Sequence, residues 1–143
     1  MIIYKDKIST IEYDHVSQNI TYSERGIANK ELLLSQLRSV MEFSKTQTIS
    51  SVIADFRNMR GSFKSIFDFL NEIYYPTLKS RGLICNAIVV SDDIINNHLA
   101  NLLLEDLKKQ GIDAATFGNT RAATKWVHTC KEVAQNKKIF TTN

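Results

Sequence analysis

Hydrophobic residues along this chain change period repeatedly, and each of its glycines falls at such a change. Gly26, Gly61, Gly82, Gly111 and Gly118 are the five glycines of its 143 residues. Glycine reaches positive φ without a steric penalty, so it suits the points where one element gives way to the next. Between these points, short β-branched runs alternate with stretches of helical period. Such a chain folds as alternating strands and helices, and strands joined through helices run parallel.

Ile8, Ile11 and Tyr13 mark a first strand, with residues 2–4 as a further candidate before it. Residues 14–19 read as a turn, and Ile20 and Tyr22 mark a returning strand, giving an antiparallel ribbon with one wet face. After Gly26 the period becomes helical. Asn29 is the expected N-cap, Glu31 lies in the first turn, and Leu33, Leu37, Val40 and Met41 form one stripe that runs to about Ser44. Residues 49–56 are rich in β-branched side chains and read as a strand covered on both faces.

Ser62 is expected to open a second helix with Phe63, Ile66, Phe67, Leu70, Ile73 and Tyr74 inward, kinked at Pro76 and ended at Gly82. Residues 84–90 form the next strand, central in the sheet. Asp92 or Asp93 caps a third helix whose Ile95, Leu99, Leu102, Leu103 and Leu107 face inward, with Gly111 past its end. Residues 112–117 form the last strand. Asn119 or Thr120 caps a fourth helix carrying Ala123, Trp126, Val127 and Cys130. The expected fold is one α/β domain over residues 1–134. It has a mixed, mostly parallel sheet, an N-terminal antiparallel ribbon and four helices, followed by a polar tail at 135–143, expected to be mobile.

A chain of this length buries roughly two-thirds of the surface its unfolded form exposes, so its core needs no disulfide or metal. The net charge of +3 is spread along the sequence rather than gathered into a stripe, which argues against a nucleic-acid partner. Cys85 and Cys130 are far apart and show no motif spacing, as expected of free thiols in a reducing cytosol. Charge follows Met1 too quickly for a signal peptide, and the apolar runs are too short for a bilayer span. The expected location is cytoplasmic, without stable membrane insertion.

Motifs for chemistry are sparse. No two glycines lie close enough for a dinucleotide or triphosphate loop, so no such cofactor is expected. His15, His98 and His128 fall in a turn and on two different helices, with no zinc-like spacing. Asp92, Asp93 and His98 are close in sequence, but a capping pair beside a surface histidine explains them, and no metal site is expected. Cys85 reads as inert packing inside a strand, and no serine sits in a nucleophile elbow. No catalytic set emerges, so the chain reads as a non-enzyme.

One segment stands out: Asp55-Phe56-Arg57-Asn58-Met59-Arg60-Gly61-Ser62 follows a central strand and leads into a helix. Ligands of open α/β sheets gather beyond the carboxyl ends of the strands. Asp92, Asp93 and Arg121 are expected at the same edge. Arg57 and Arg60 near a helix start suit an anion or an acidic partner. A plainer reading of the same residues has Asp55 pairing with Arg57 or Arg60 to pin the loop, and Ser62 capping the helix. The second helix is unusually aromatic, with Phe63, Phe67, Phe69, Tyr74 and Tyr75. That crowding fits core packing, and it also fits a wall for a small apolar ligand or a homodimer contact.

The segment Val52-Ile-Ala-Asp55-Phe-Arg-Asn-Met-Arg60, together with Tyr75-Pro76, Gly82, Ala87-Ile-Val-Val90 and Ala123-Thr-Lys-Trp126, resembles the SpoIIAA-like or STAS-fold domains. It is most similar to the small bacterial STAS/SEC14-like subgroup, over residues 8–134. The resemblance implies a non-enzymatic regulatory module that docks on another protein. Many such domains are switched by phosphorylation at the helix following the central strand, and the matching position here is Ser62. In place of the family's Asp-Ser-Ser/Thr-Gly string this chain carries Arg60-Gly61-Ser62-Phe63. The SEC14 side of the resemblance implies an alternative role, carriage of a lipid or other small apolar ligand.

Overall fold

The computed structural model of the chain describes residues 1–141. Six strands form one sheet in sequential order: β1 (Ile2–Lys5), β2 (Ser9–Asp14), β3 (Asn19–Ile27), β4 (Ser51–Arg60), β5 (Cys85–Val89) and β6 (Asp113–Phe117). β1, β2 and β3 pair antiparallel, and β3 to β6 pair parallel. The mixed α/β sheet expected from the hydrophobic periods is therefore present, and the ribbon has three strands.

Helix α1 (Lys30–Phe43) connects β3 to β4, a composite helical segment at 64–80 connects β4 to β5, and α4 (Ile94–Lys109) connects β5 to β6. The inner side chains of all three join one core with Ile11, Ile20, Tyr22, Val52, Ala54 and Ile88 of the sheet. The final helix α5 (Thr120–Thr141) covers the opposite face. Its Ala123 and Val127 pack on Ile53, Cys85, Ala87 and Val89. Period-two alternation along β4 thus sends Val52 and Ala54 to one layer and Ile53 to the other. Each fully buried aliphatic side chain contributes about 1.5–3 kcal/mol, so either layer is a substantial stabilising unit.

The helix ends follow local chemistry. Asn29 Oδ1 accepts from the Leu32 amide at 3.0 Å, and Asp93 Oδ1 accepts from the Asn96 amide at 3.0 Å. Asn119 Oδ1 caps α5 through the Ala122 amide at 2.8 Å. Gly111, at φ 78°, lets Ile112 N–H turn back onto Leu107 O at 3.0 Å and closes α4. The chain from Gln135, expected as a tail, continues α5 to Thr141; the remaining two residues lie outside the described ones.

Two regions depart from the expected pattern. β4 runs on to Arg60 because β3 keeps pairing with it through Gly26–Met59 and Ile27–Arg60. The register shifts on the way: Ser23 faces Asp55 but Arg25 faces Asn58, so β4 carries one extra residue, a β-bulge. The composite segment is not one kinked helix. It consists of a 3-10 turn (Lys64–Ile66), a short α turn α2 (Phe67–Phe69), a π turn (Leu70–Tyr74) and α3 (Tyr75–Ser80). Pro76 has no N–H to give and its ring crowds the carbonyl four residues back, so the preceding turn widens. Tyr75 N–H reaches Leu70 O, five residues back.

The widened turn corrects the inward face. Tyr74 and Tyr75 are both buried, whereas Ile73 is exposed. Ile95 and Leu102 of α4, expected inward, are also exposed, because the buried stripe is carried by Asn96, Leu99, Ala100, Leu103 and Leu107. No described helix is long and apolar enough to cross a membrane.

Candidate functional site

At the carboxyl edge of the parallel strands, the plainer reading of the sequence, a pairing of Asp55 with Arg57, is the one the structure contains. Asp55 is buried at the bulge and spends its carboxylate on Arg57. Oδ1 accepts from the Arg57 amide at 3.1 Å and from Nε at 3.0 Å, and Oδ2 accepts from Nη2 at 2.8 Å. The pair is a brace for the extra residue of β4, and it holds the Arg57 pKa above its ordinary value. Ser62 is exposed, and its Oγ accepts from the Lys64 amide at 3.1 Å, which starts the 3-10 turn. Asp93 is committed to capping α4.

Asn58, Arg60, Asp92 and Arg121 are exposed. Arg60 lies beside Ile27 at the tip of the β3–β4 extension, and its carbonyl accepts from the Ala28 amide at 2.8 Å. The start of α4 is tied to this tip, because Asn96 Nδ2 donates to Met59 O at 3.2 Å. Three apolar side chains of these element ends face solvent: Ile27 at the end of β3 at 74% exposure, and Ile94 and Ile95 at the start of α4 at 84% and 59%. Sequence reasoning found the polar residues of this edge and missed the isoleucines. Ile27 ends an alternating strand, and Ile94 and Ile95 directly precede Asn96, where the buried stripe of α4 begins.

A second site lies inside the main core, where the β4 bulge and the π turn meet. A cavity of about 40 Å³ is lined by Tyr22 and Glu24 of β3, Gln36 of α1, Phe56 at the bulge, and Leu70 and Tyr74 of the π turn, among apolar neighbours. Glu24 is only 4% exposed. Its Oε1 accepts from Ser9 Oγ at 3.0 Å, and its Oε2 is buried without a partner among the described residues. Burial pushes the carboxyl up to about 7, and nearby Asp6 adds to the rise; Ser9, Gln36 and Arg25 pull the other way without cancelling it. Arg25 is occupied on Asp6 O at 2.8 Å and Thr10 Oγ1 at 3.2 Å.

The phenols beside it are neutral. Tyr22 and Tyr74 share a hydrogen bond of 2.6 Å, and Tyr75 Oη donates to Asn86 Oδ1 at 3.1 Å. Burial raises all three above the usual phenol range. Glu24 had a signal in the sequence: Ile20, Tyr22 and Glu24 alternate on one strand face, so the third must point inward with the first two.

Elsewhere, the described residues hold no group of three His, Cys, Asp or Glu side chains arranged for a metal. Cys85 and Cys130 are free thiols, the first fully buried. In comparisons with protein-family models, with curated proteins and with solved structures, the chain matches none.

Proposed function

We propose that this protein is a non-catalytic, STAS-like regulatory module that docks another protein on the carboxyl edge of its parallel strands. The observation that carries the reading is the exposed trio Ile27, Ile94 and Ile95 at that edge, set among Asn58, Arg60 and Asp92. Apolar side chains gathered at one rim and bordered by charge are the makings of a protein contact. The β-bulge brace and the Asn96 tie support it further, because they fix the tip of β4 against the start of α4. A rigid edge loses little freedom when it binds. Ser62 is exposed on the same rim, one glycine away from Arg60, where an added phosphate would alter the charge of the edge most.

The test is affinity capture from native lysate with the wild-type chain, Ile27→Asp, Ile94→Asp, Arg60→Ala and Arg57→Ala. A partner of this edge is lost with the two isoleucine variants, weakened with Arg60→Ala and retained with Arg57→Ala, whose guanidinium is already occupied by Asp55. Capture that is indifferent to Ile27 and Ile94 overturns the reading. The lipid-carrier alternative needs more room than 40 Å³, so an acyl chain would enter only if the helical wall at 64–80 moved aside.

A further inference from the structure

Two irregularities, the β4 bulge and the π turn, meet over one buried carboxyl. Bulges and π turns are both concentrated at functional sites, since each gives up regular hydrogen bonding to re-aim side chains. Here they leave a void instead of closing on it. In close-packed protein interiors such a void is uncommon, and its cost in lost contacts needs an offset.

The walls define what would fit. Leu33, Leu37, Ala54, Phe63, Leu70 and Leu103 make the lining largely apolar. Tyr75 is committed to Asn86, and Tyr22 and Tyr74 to each other. Glu24 Oε1 is taken by Ser9, and Oε2, which carries the proton in the acid form, makes no hydrogen bond of normal geometry, the Gln36 amide lying near the carboxyl without closing one on it. A buried donor without a partner costs about 1–3 kcal/mol, and an occupant with an acceptor oxygen removes that cost. A single water-sized probe fills roughly 10–15 Å³ on this scale, so the observed volume takes a guest of only a few heavy atoms.

We propose that the cavity between β3, β4 and the π turn is a binding site for one small uncharged molecule with an apolar body and a single acceptor oxygen, a short-chain alcohol or ketone in chemical class, held by Glu24 Oε2. Charged guests are disfavoured by the apolar lining, which would have to desolvate them. The site rests on the cavity and not on the isoleucine edge, so either reading can fail alone: Ile94→Asp leaves the cavity site intact.

The experiment is an amide-resolved NMR titration of the full chain with 2-propanol, acetone and, as a charged control, isopropylammonium. The expected result is saturable shifts at Tyr22, Glu24, Gln36 and residues 70–75 with the two neutral probes and none with the cation. Glu24→Gln keeps a donor and keeps the response. Glu24→Leu weakens it about fivefold, the loss of one hydrogen bond. Ala54→Val fills the void and removes the response, with unshifted α5 amides reporting an intact fold. Xenon-induced shifts at the same residues detect the void in the wild type without any substitution. Linear shifts without saturation, which mean a resident water only, overturn the proposal. So do saturable shifts that ignore both Ala54→Val and Glu24→Leu, a stronger response to isopropylammonium, or no xenon effect at these residues.

Discussion

The hydroxyls of Tyr22 and Tyr74 lie 2.6 Å apart across the join between β3 and the π turn, both in a fully buried setting. Each is the other's partner, so removing one strands the other. Tyr22→Phe should therefore destabilise the protein by about 1–3 kcal/mol, the cost of an unsatisfied buried hydroxyl. The double variant Tyr22→Phe/Tyr74→Phe should recover much of that loss, because neither polar group is then left over. Urea denaturation of the four proteins in a double-mutant cycle reads the coupling directly. Additive losses would mean that the two hydroxyls act independently.

Glu24 sets a pH dependence of unusual sign for a carboxylate. Its pKa rises from 4.5 to about 7 on folding, so the folded state holds the proton over a range in which the unfolded chain has released it. Stability from this group is therefore full below about pH 4.5 and is lost as pH rises through 7. The groups facing it are Tyr4 of β1, Asp6 from the β1–β2 turn, Arg25 on its own strand, and the neutral phenols of Tyr22, Tyr74 and Tyr75. A rise of this size corresponds to ~3 kcal/mol between the two limits. Melting curves at pH 5 and pH 8.5 should show the wild type losing stability at the higher pH relative to Glu24→Gln, which has no proton to lose. Equal pH slopes for the two proteins would place Glu24 in contact with water.

The two thiols should separate cleanly. Cys85 is fully buried between β5 and α5, and burial pushes its thiol up to about 12. Cys130 is half-buried and less raised. Attack on a disulfide reagent needs the thiolate and access together. Ellman's reagent should therefore titrate one thiol slowly in the native protein, and a Cys130→Ser variant should titrate none until denaturant is added. Rapid labelling of Cys85 in that variant would mean that α5 lifts from the sheet.

Period and capping made most of this architecture legible. The stripe of Leu33, Leu37 and Val40, the Asn29 and Asp93 caps and the Gly111 stop all rest on interactions within a few residues, which a sequence displays directly. The inward placement of Tyr75 was not legible in the same way. It follows from the π turn, which depends on Pro76 and on the fit of the segment against Tyr22 and Asn86, residues distant in sequence. The carboxyl edge was half legible. Its polar loop and the pairing of Asp55 with Arg57 were visible as a string, but a bulge is a relation between two strands, and only the pairing of Arg25 with Asn58 shows that this pair sits on one. The cavity needs both irregularities at once, so its acid showed only as one alternating glutamate on β3.

That brace supports the last prediction, an asymmetry between two partners of one ion pair. Asp55 is buried and bonds the Arg57 amide as well as its guanidinium, whereas the Arg57 side chain is about a third exposed, at 35%. Arg57→Ala removes a half-solvated pair and should cost less than about 1 kcal/mol, as surface pairs do. It leaves Asp55 Oδ1 on the backbone. Asp55→Ala removes the amide bond that shapes the bulge and also strips the guanidinium of its partner, so it should cost roughly 1–3 kcal/mol. The same substitution should loosen the β4 tip, raising amide exchange at residues 56–60 above that of the wild type while α5 is unchanged. Equal losses for the two variants, or unchanged exchange at the tip in Asp55→Ala, would reduce Asp55 to an ordinary surface partner.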